Sequence, residues 1–212
     1  MQWEFFQRLL PQLFARSAGG EYGEEVKKIL PYREELFRRY PAIHYRPAAV
    51  LVLFYPDRRG LMHTVMIERN RYDGVHSGQI AFPGGKKEPF DQSLEQTALR
   101  ETREEVGVPQ EKVKIIRSLS PVKIPVSRFE VTPFMGYLDF RPDFLPDPSE
   151  VQNILELPLE YLINEAWCRE QKKFENRSYE ICYLPFDGYK IWGATAIVIA
   201  ELRDLFKKAM NF

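Results

Sequence analysis

Cysteine is almost absent from this chain: Cys168 and Cys182 are the two in 212 residues. Two thiols make no disulfide framework, which excludes a small secreted scaffold and fits a reducing compartment. Charge of one sign is also lacking. Thirty Lys and Arg stand against 30 Asp and Glu, whereas a nucleic-acid binder normally carries a basic excess. Long apolar runs are missing too. Even the runs Ala49 to Tyr55 and Ala194 to Ala200 fall far short of the roughly 20 residues of a membrane helix. The N-terminal stretch MQWEFFQRLLPQLFARSAGG holds no apolar segment of signal-peptide length. No internal repeat or low-complexity linker interrupts the chain. The expectation is a soluble, cytoplasmic protein with neither nucleic acid nor membrane as partner.

What is present suffices for a core. Hydrophobic residues make up 44% and aromatics 14%, which excludes wholesale disorder. The length suggests one domain with an appendage. Residues 1–40 read as a helical extension, with Phe5, Leu9, Leu10, Leu13 and Phe14 at helical spacing before Gly19-Gly20. A second helix is expected over 21–39, interrupted or restarted at Pro31. Residues 41–212 read as the main domain. Ala49 to Tyr55 is a near-continuous apolar run, as in a strand buried on both faces. Further strands are expected over 61–68, 77–83, 113–119, 131–140 and 179–184. A short helix is expected over 157–164 and a closing helix over 201–210. Strands mixed with a few helices indicate an α/β or α+β sandwich.

The segment Gly84 to Val108 reads GGKKEPFDQSLEQTALRETREEVGV. Ser93 and Gln96 form a candidate capping box, and Gly107 stands where a left-handed terminal residue is needed. At about 100° per residue, Ala98, Leu99, Thr102 and Val106 share an apolar arc. Glu101, Glu104 and Glu105 share the adjacent arc, related by i, i+3 and i+4. Like charges at these spacings cost a helix about 0.2–0.5 kcal/mol per pair. Three carboxylates beside a buried face call for a counter-ion, and hard oxygen ligands suit Mg²⁺ or Mn²⁺. A solvated face, neutralised by Arg100 and Arg103, is the ordinary alternative.

The surrounding pattern favours the first reading. The run resembles the Nudix box, Gly-x5-Glu-x7-Arg-Glu-hydrophobic-x-Glu-Glu-x-Gly-hydrophobic. Gly85, Arg100, Glu101, Glu104, Glu105, Gly107 and Val108 take the matching positions. Two positions depart. Asp91 stands near the first acidic position with one extra residue before Arg100, and Thr102 replaces the hydrophobic residue after Arg-Glu. Upstream, Arg69, His76, Gly78, Gln79 and the run Phe82-Pro83-Gly84-Gly85 resemble the coenzyme A pyrophosphatase signature. Downstream, the segments 131–134, 150–151 and 189–196 (YKIWGATA) resemble the same subgroup.

The resemblance implies a Nudix-type α/β/α sandwich with a mixed sheet, and metal-dependent hydrolysis of a nucleoside diphosphate derivative. For the subgroup, that means coenzyme A split into 3′,5′-ADP and a 4′-phosphopantetheine product. Glu101, Glu105 and Glu104 are the implied metal ligands, with the Gly85 carbonyl as a further one. Arg100 orients a glutamate. The general base is a box glutamate or a distant acid, for which Glu150 is the candidate. Arg69, His76, Gln79 and Gly84 are candidates for binding substrate. Two other readings stay open: another substrate, such as a nucleotide sugar or dinucleotide, and a nucleotide sensor without catalysis. Residues 1–40 are open to packing on the domain, forming a homodimer contact or shaping the substrate entrance.

Overall fold

The computed structural model describes residues 1–15, 23–30, 37, 44–70, 78–174 and 177–210. Eleven strands form among them: β1 Arg46–Pro56, β2 Met62–Arg69, β3 Ile80–Ala81, β4 Gly84–Lys86, β5 Lys114–Ser118, β6 Val122–Ile124, β7 Phe129–Tyr137, β8 Val151–Pro158, β9 Cys168–Phe174, β10 Arg177–Phe186 and β11 Tyr189–Trp192. The helices are α1 Trp3–Ala15, α2 Glu24–Lys27, α3 Leu94–Val106, α4 Leu159–Asn164 and α5 Ala194–Met210. Among the described residues, no helix is long and apolar enough to cross a membrane.

The larger sheet is mixed. β1 runs parallel to β7 and antiparallel to β2 and β4. β2 continues the sheet to β3 and β8, while β7 carries β5 and β6. The smaller sheet is the antiparallel ribbon β9–β10–β11.

β1 is buried on both faces, as its apolar run predicts. Side chains alternate across a strand, so Ala49, Leu51, Leu53 and Tyr55 face α3, with Ala98, Val106 and Val108 packed on them. Val52 and Phe54 point the other way, into a core shared with α1, α4 and α5. The result is helices on both faces of one sheet.

The described part of the N-terminal extension belongs to that second core. In α1, Phe6, Leu9 and Leu13 are buried, while Phe5 and Phe14 are exposed. The i, i+3, i+7 stripe therefore starts one residue later than the sequence pattern suggests. The first part of the expected second helix is the short α2, which ends at Lys27; residues 21–22, 31–36 and 38–39 of the expected span lie outside the described residues. The first turn of α2 is fastened by Asp204 of α5, which accepts from the Glu25 and Val26 amides at 3.2 and 3.4 Å. Glu25 is itself buried, yet hydrogen bonds from Lys207, Lys28 and Trp167 outweigh its burial and lower its pKa to about 2.

Candidate active site

The site is built on α3, whose limits are chemical. Ser93 accepts from the Gln96 amide at 3.1 Å, and Gly107 closes the helix at φ +76°. The expected capping box forms in part only. Gln96 Oε1 accepts from the Gln92 amide at 2.7 Å, one residue before the cap.

The three box glutamates do not share one environment. At about 100° per residue, Glu105 falls within the apolar arc around Ala98, while Glu104 lies about 100° away. Glu105 is accordingly buried, at 1% exposure. Its Oε2 accepts from the Gly84 amide at 2.7 Å, and Arg69 Nη1 stands 3.5 Å from its Oε1. Burial pushes its pKa up to about 8, against the pull of Arg69 and Gly84. Burial raises the Glu101 carboxyl too, with Arg100 opposing. Glu104 points outward and pairs with Arg100 at 2.8 Å.

Glu150 comes from the loop before β8. One carboxylate oxygen each from Glu101, Glu105 and Glu150 lies within 4.8 Å of the others. Backbone bonds hold this loop on the end of α3: Leu145 N–H donates to the Val106 carbonyl and Asp147 N–H to that of Glu105, at 3.0 and 3.1 Å. The loop thus covers two carbonyls that a helix end leaves unpaired. Glu104, expected among the ligands, stands outside this trio, and Glu150 stands within it. Glu101 and Glu105, the two whose pKa burial raises, offer hard oxygen donors that fit a divalent cation such as Mg²⁺ or Mn²⁺, with the exposed Glu150 beside them.

The two glycines before the helix have separate tasks. Gly84 sits at φ +149°, and a β-carbon there would meet the Ala49 carbonyl oxygen at 2.3 Å. Only glycine brings its amide this close to β1 and Glu105. A β-carbon on Gly85 would stand 2.5 Å from Glu101 Oε2, so the glutamate lies directly over that backbone.

Arg100 organises the rim. Its Nε and Nη2 bind both oxygens of Asp91 at 3.0 and 2.9 Å, and its Nη1 reaches Glu101 and Glu104 at 2.8 Å each. The fork of Arg100 holds the Asp91 carboxyl at about 2, aided by the Glu88 amide and Thr97 hydroxyl. Asp91 is buried; it anchors Arg100, which sequence counting left open. The other departure is also resolved. Thr102 is buried in the apolar arc, with its hydroxyl donating to the Ala98 carbonyl at 2.7 Å, so it packs without an unmet polar atom.

Among the substrate-binding candidates, Arg69 and Gly84 contact Glu105, and Gln79 pairs its carbonyl with the Arg69 amide at 3.1 Å. His76 lies outside the described residues. Sequence reasoning missed Glu68, a buried carboxylate beside Arg69 that accepts from Asn153 and Tyr189. Its signal was an acid closing the apolar run Val65-Met66-Ile67.

The acidic helix and its glycines lie within residues 44–176, which the family model described as NUDIX domain matches. The chain belongs to the Nudix hydrolase family. It is 35% identical over 173 residues to a protein of Pectobacterium atrosepticum named Uncharacterized Nudix hydrolase NudL, covering 76% of this chain and 83% of that one. It is 31% identical over 159 residues to Nudix hydrolase 15, mitochondrial, of Arabidopsis thaliana, covering 72% of this chain and 55% of that one. Among solved structures, a MutT/nudix family protein from Enterococcus faecalis superposes with TM-score 0.51 at 15% identity, over 90% of this chain and 76% of that one. A MutT protein from Methanosarcina mazei gives 0.50 at 17%, over 78% of this chain and 96% of that one. These likenesses show the α/β fold alone.

Proposed function

We propose that this Nudix hydrolase is a divalent-metal-dependent diphosphatase acting on coenzyme A or its derivatives, with 3′,5′-ADP and a 4′-phosphopantetheine product released. The carrying observation is that Gly84 and Arg69 of the upstream signature both contact Glu105, inside the trio of Glu101, Glu105 and Glu150. The segment resembling the coenzyme A subgroup and the acidic box are thus parts of one site.

In this reading Glu101 and Glu105 hold the cation, and Gly85 presents its backbone beside Glu101. When bound there, a divalent cation would supply positive charge against the diphosphate and lower the pKa of nearby water. Arg100 fixes Glu101 from the rim. Glu150, exposed and within 4.8 Å of the other two carboxylates, takes the proton of the attacking water. Positioning and charge then carry most of a phosphoryl transfer. Arg69, which contacts Glu105, and Gln79, bonded to the Arg69 amide, are the candidates for binding substrate.

The test is product analysis of purified protein with coenzyme A and Mg²⁺ or Mn²⁺, beside nucleotide sugars and dinucleotides. The expected result is 3′,5′-ADP from coenzyme A, at a rate above that of the other substrates. No 3′,5′-ADP above a Glu105→Gln control, or preference for another substrate, overturns the reading.

A further inference from the structure

The segment Tyr189 to Thr195 lies beyond the matched residues 44–176, and its two hydroxyls close on one pair of residues. Glu68 and Ile80 face each other across β2 and β3. Tyr189 Oη donates to Glu68 Oε2 at 3.1 Å, and Thr195 Oγ1 donates to the Ile80 carbonyl at 3.0 Å. Asn153 of β8 joins them, with Nδ2 2.6 Å from Glu68 Oε2 and 3.3 Å from Tyr189 Oη. Gly193 turns the chain between the two hydroxyls at φ +68°, a conformation that suits glycine.

The gripped pair matters for what flanks it. Arg69 follows Glu68, and Gly84 follows Ile80 by four residues. Among the described residues, these two hydrogen-bond the Glu105 carboxylate from outside its helix, at 3.5 and 2.7 Å. The β2–β8 register shifts between Glu68 and Arg69. A bulge re-aims a side chain and interrupts the ladder that would otherwise fix it. Side-chain bonds at Glu68 therefore hold the strand at the point where its register with β8 shifts. Residues that orient a ligand typically alter metal affinity by about 10–100-fold when removed.

The geometry points to Tyr189 and Thr195 as positioning residues: a two-point clamp on the Glu68–Ile80 pair that sets Arg69 and Gly84 against Glu105. The clamp rests on the reading above, in which Glu105 holds a divalent cation. It makes the closing ribbon and the start of α5 part of the active-site framework, although neither contributes a group to the acidic cluster.

The experiment uses the full chain and Tyr189→Phe, Thr195→Val and Thr195→Ser, the last keeping a hydroxyl. Two quantities are read well below each melting temperature. One is amide hydrogen exchange over residues 78–86 in metal-free protein. The other is Mn²⁺ affinity, from loss of the free-ion electron paramagnetic resonance signal. Tyr189→Phe and Thr195→Val are expected to speed exchange in 78–86 and to weaken Mn²⁺ binding about tenfold, with Thr195→Ser close to wild type in both. Unchanged exchange overturns the clamp. Faster exchange with unchanged Mn²⁺ affinity also overturns it, because the hydroxyls then serve stability alone. Failure of the metal reading looks different: wild type and Glu105→Gln would bind Mn²⁺ alike, and the clamp would stand or fall on exchange.

Discussion

The two faces of β1 are built for different ends. One is an aromatic core. Phe54 meets Phe6 and Phe206 with ring centroids 5.6 and 5.7 Å apart, and Phe6 meets Phe206 at 6.3 Å. The other face packs α3 and buries Asp91, Thr97, Thr102 and Glu105 among its apolar residues. A buried carboxylate is costly unless paired, and the upward shift of Glu105 shows incomplete compensation. The comparison teaches that the α1–α5 face stabilises the sheet while the α3 face gives up stability to hold an acidic cluster.

The largest expected effect falls on the aromatic face. Phe206→Ala removes a fully buried ring and should lower unfolding free energy by about 3–5 kcal/mol, measured in urea. Mn²⁺ affinity of the folded variant should change less than about twofold, since distant sites are largely independent. A tenfold loss would break the comparison, because the two faces would then be coupled.

Glu105→Gln tests the opposite face. Turnover should fall at least about 100-fold. Metal-free stability should move the other way. Burial raises this carboxyl to about 8 from the ordinary 4.5, so the folded state favours its protonated form. Its contribution is present below the unfolded pKa and lost as pH rises through about 8. The metal-free variant should therefore melt higher than wild type at pH 8.5, by about 2–4 °C per kcal/mol recovered. The gap should close near pH 4.5. A lower melting temperature at pH 8.5 would show that Gly84 and Arg69 fully compensate the buried charge.

Asp91→Asn gives a smaller change of opposite sign in pH. It should cost about 2 kcal/mol at pH 7. That is below the usual 3–5 for a broken buried pair, because Arg100 keeps Glu101 and Glu104. The wild-type carboxyl titrates near 2, below its ordinary 3.8, because of the Arg100 fork. Its contribution is present above 3.8 and fades as pH falls through about 2. Equal stabilities at pH 7 by chemical denaturation would remove Asp91 as an anchor. The smallest effect belongs to Phe14→Gln, on the exposed side of α1, expected within about 0.5 kcal/mol.

These contrasts also explain how far the sequence could be read. β1 is legible because both its faces are apolar, and α3 because Ser93 and Gly107 mark its ends. β4 is not, since Gly84-Gly85-Lys86 looks like a turn and becomes a strand only through pairing with β1. β8 hides because a bulge breaks its register and the polar Asn153 interrupts the face that Val151, Leu155 and Leu157 share. β9 reads CREQKKF, with no apolar period at all. α5 starts within a β-branched run, Ala194 to Ile199, where burial overrides local preference. For the site, helical spacing groups Glu104 with Glu101 and Glu105. Burial separates them, and Glu150 enters from a loop whose docking no local pattern encodes.

The parallel pairing of β1 with β7 has a consequence in time. It joins residues 46–54 to 129–137, so the intervening chain must be closed before the contact is rewarded. Hairpins such as β9–β10 can form early, from neighbours in sequence. The loop before β8 docks on α3 across a shorter separation, 145–147 to 105–106, so its closure costs less than that of β1 with β7. The β1–β7 pairing, rather than the acidic cluster, is therefore expected among the last contacts to form during folding.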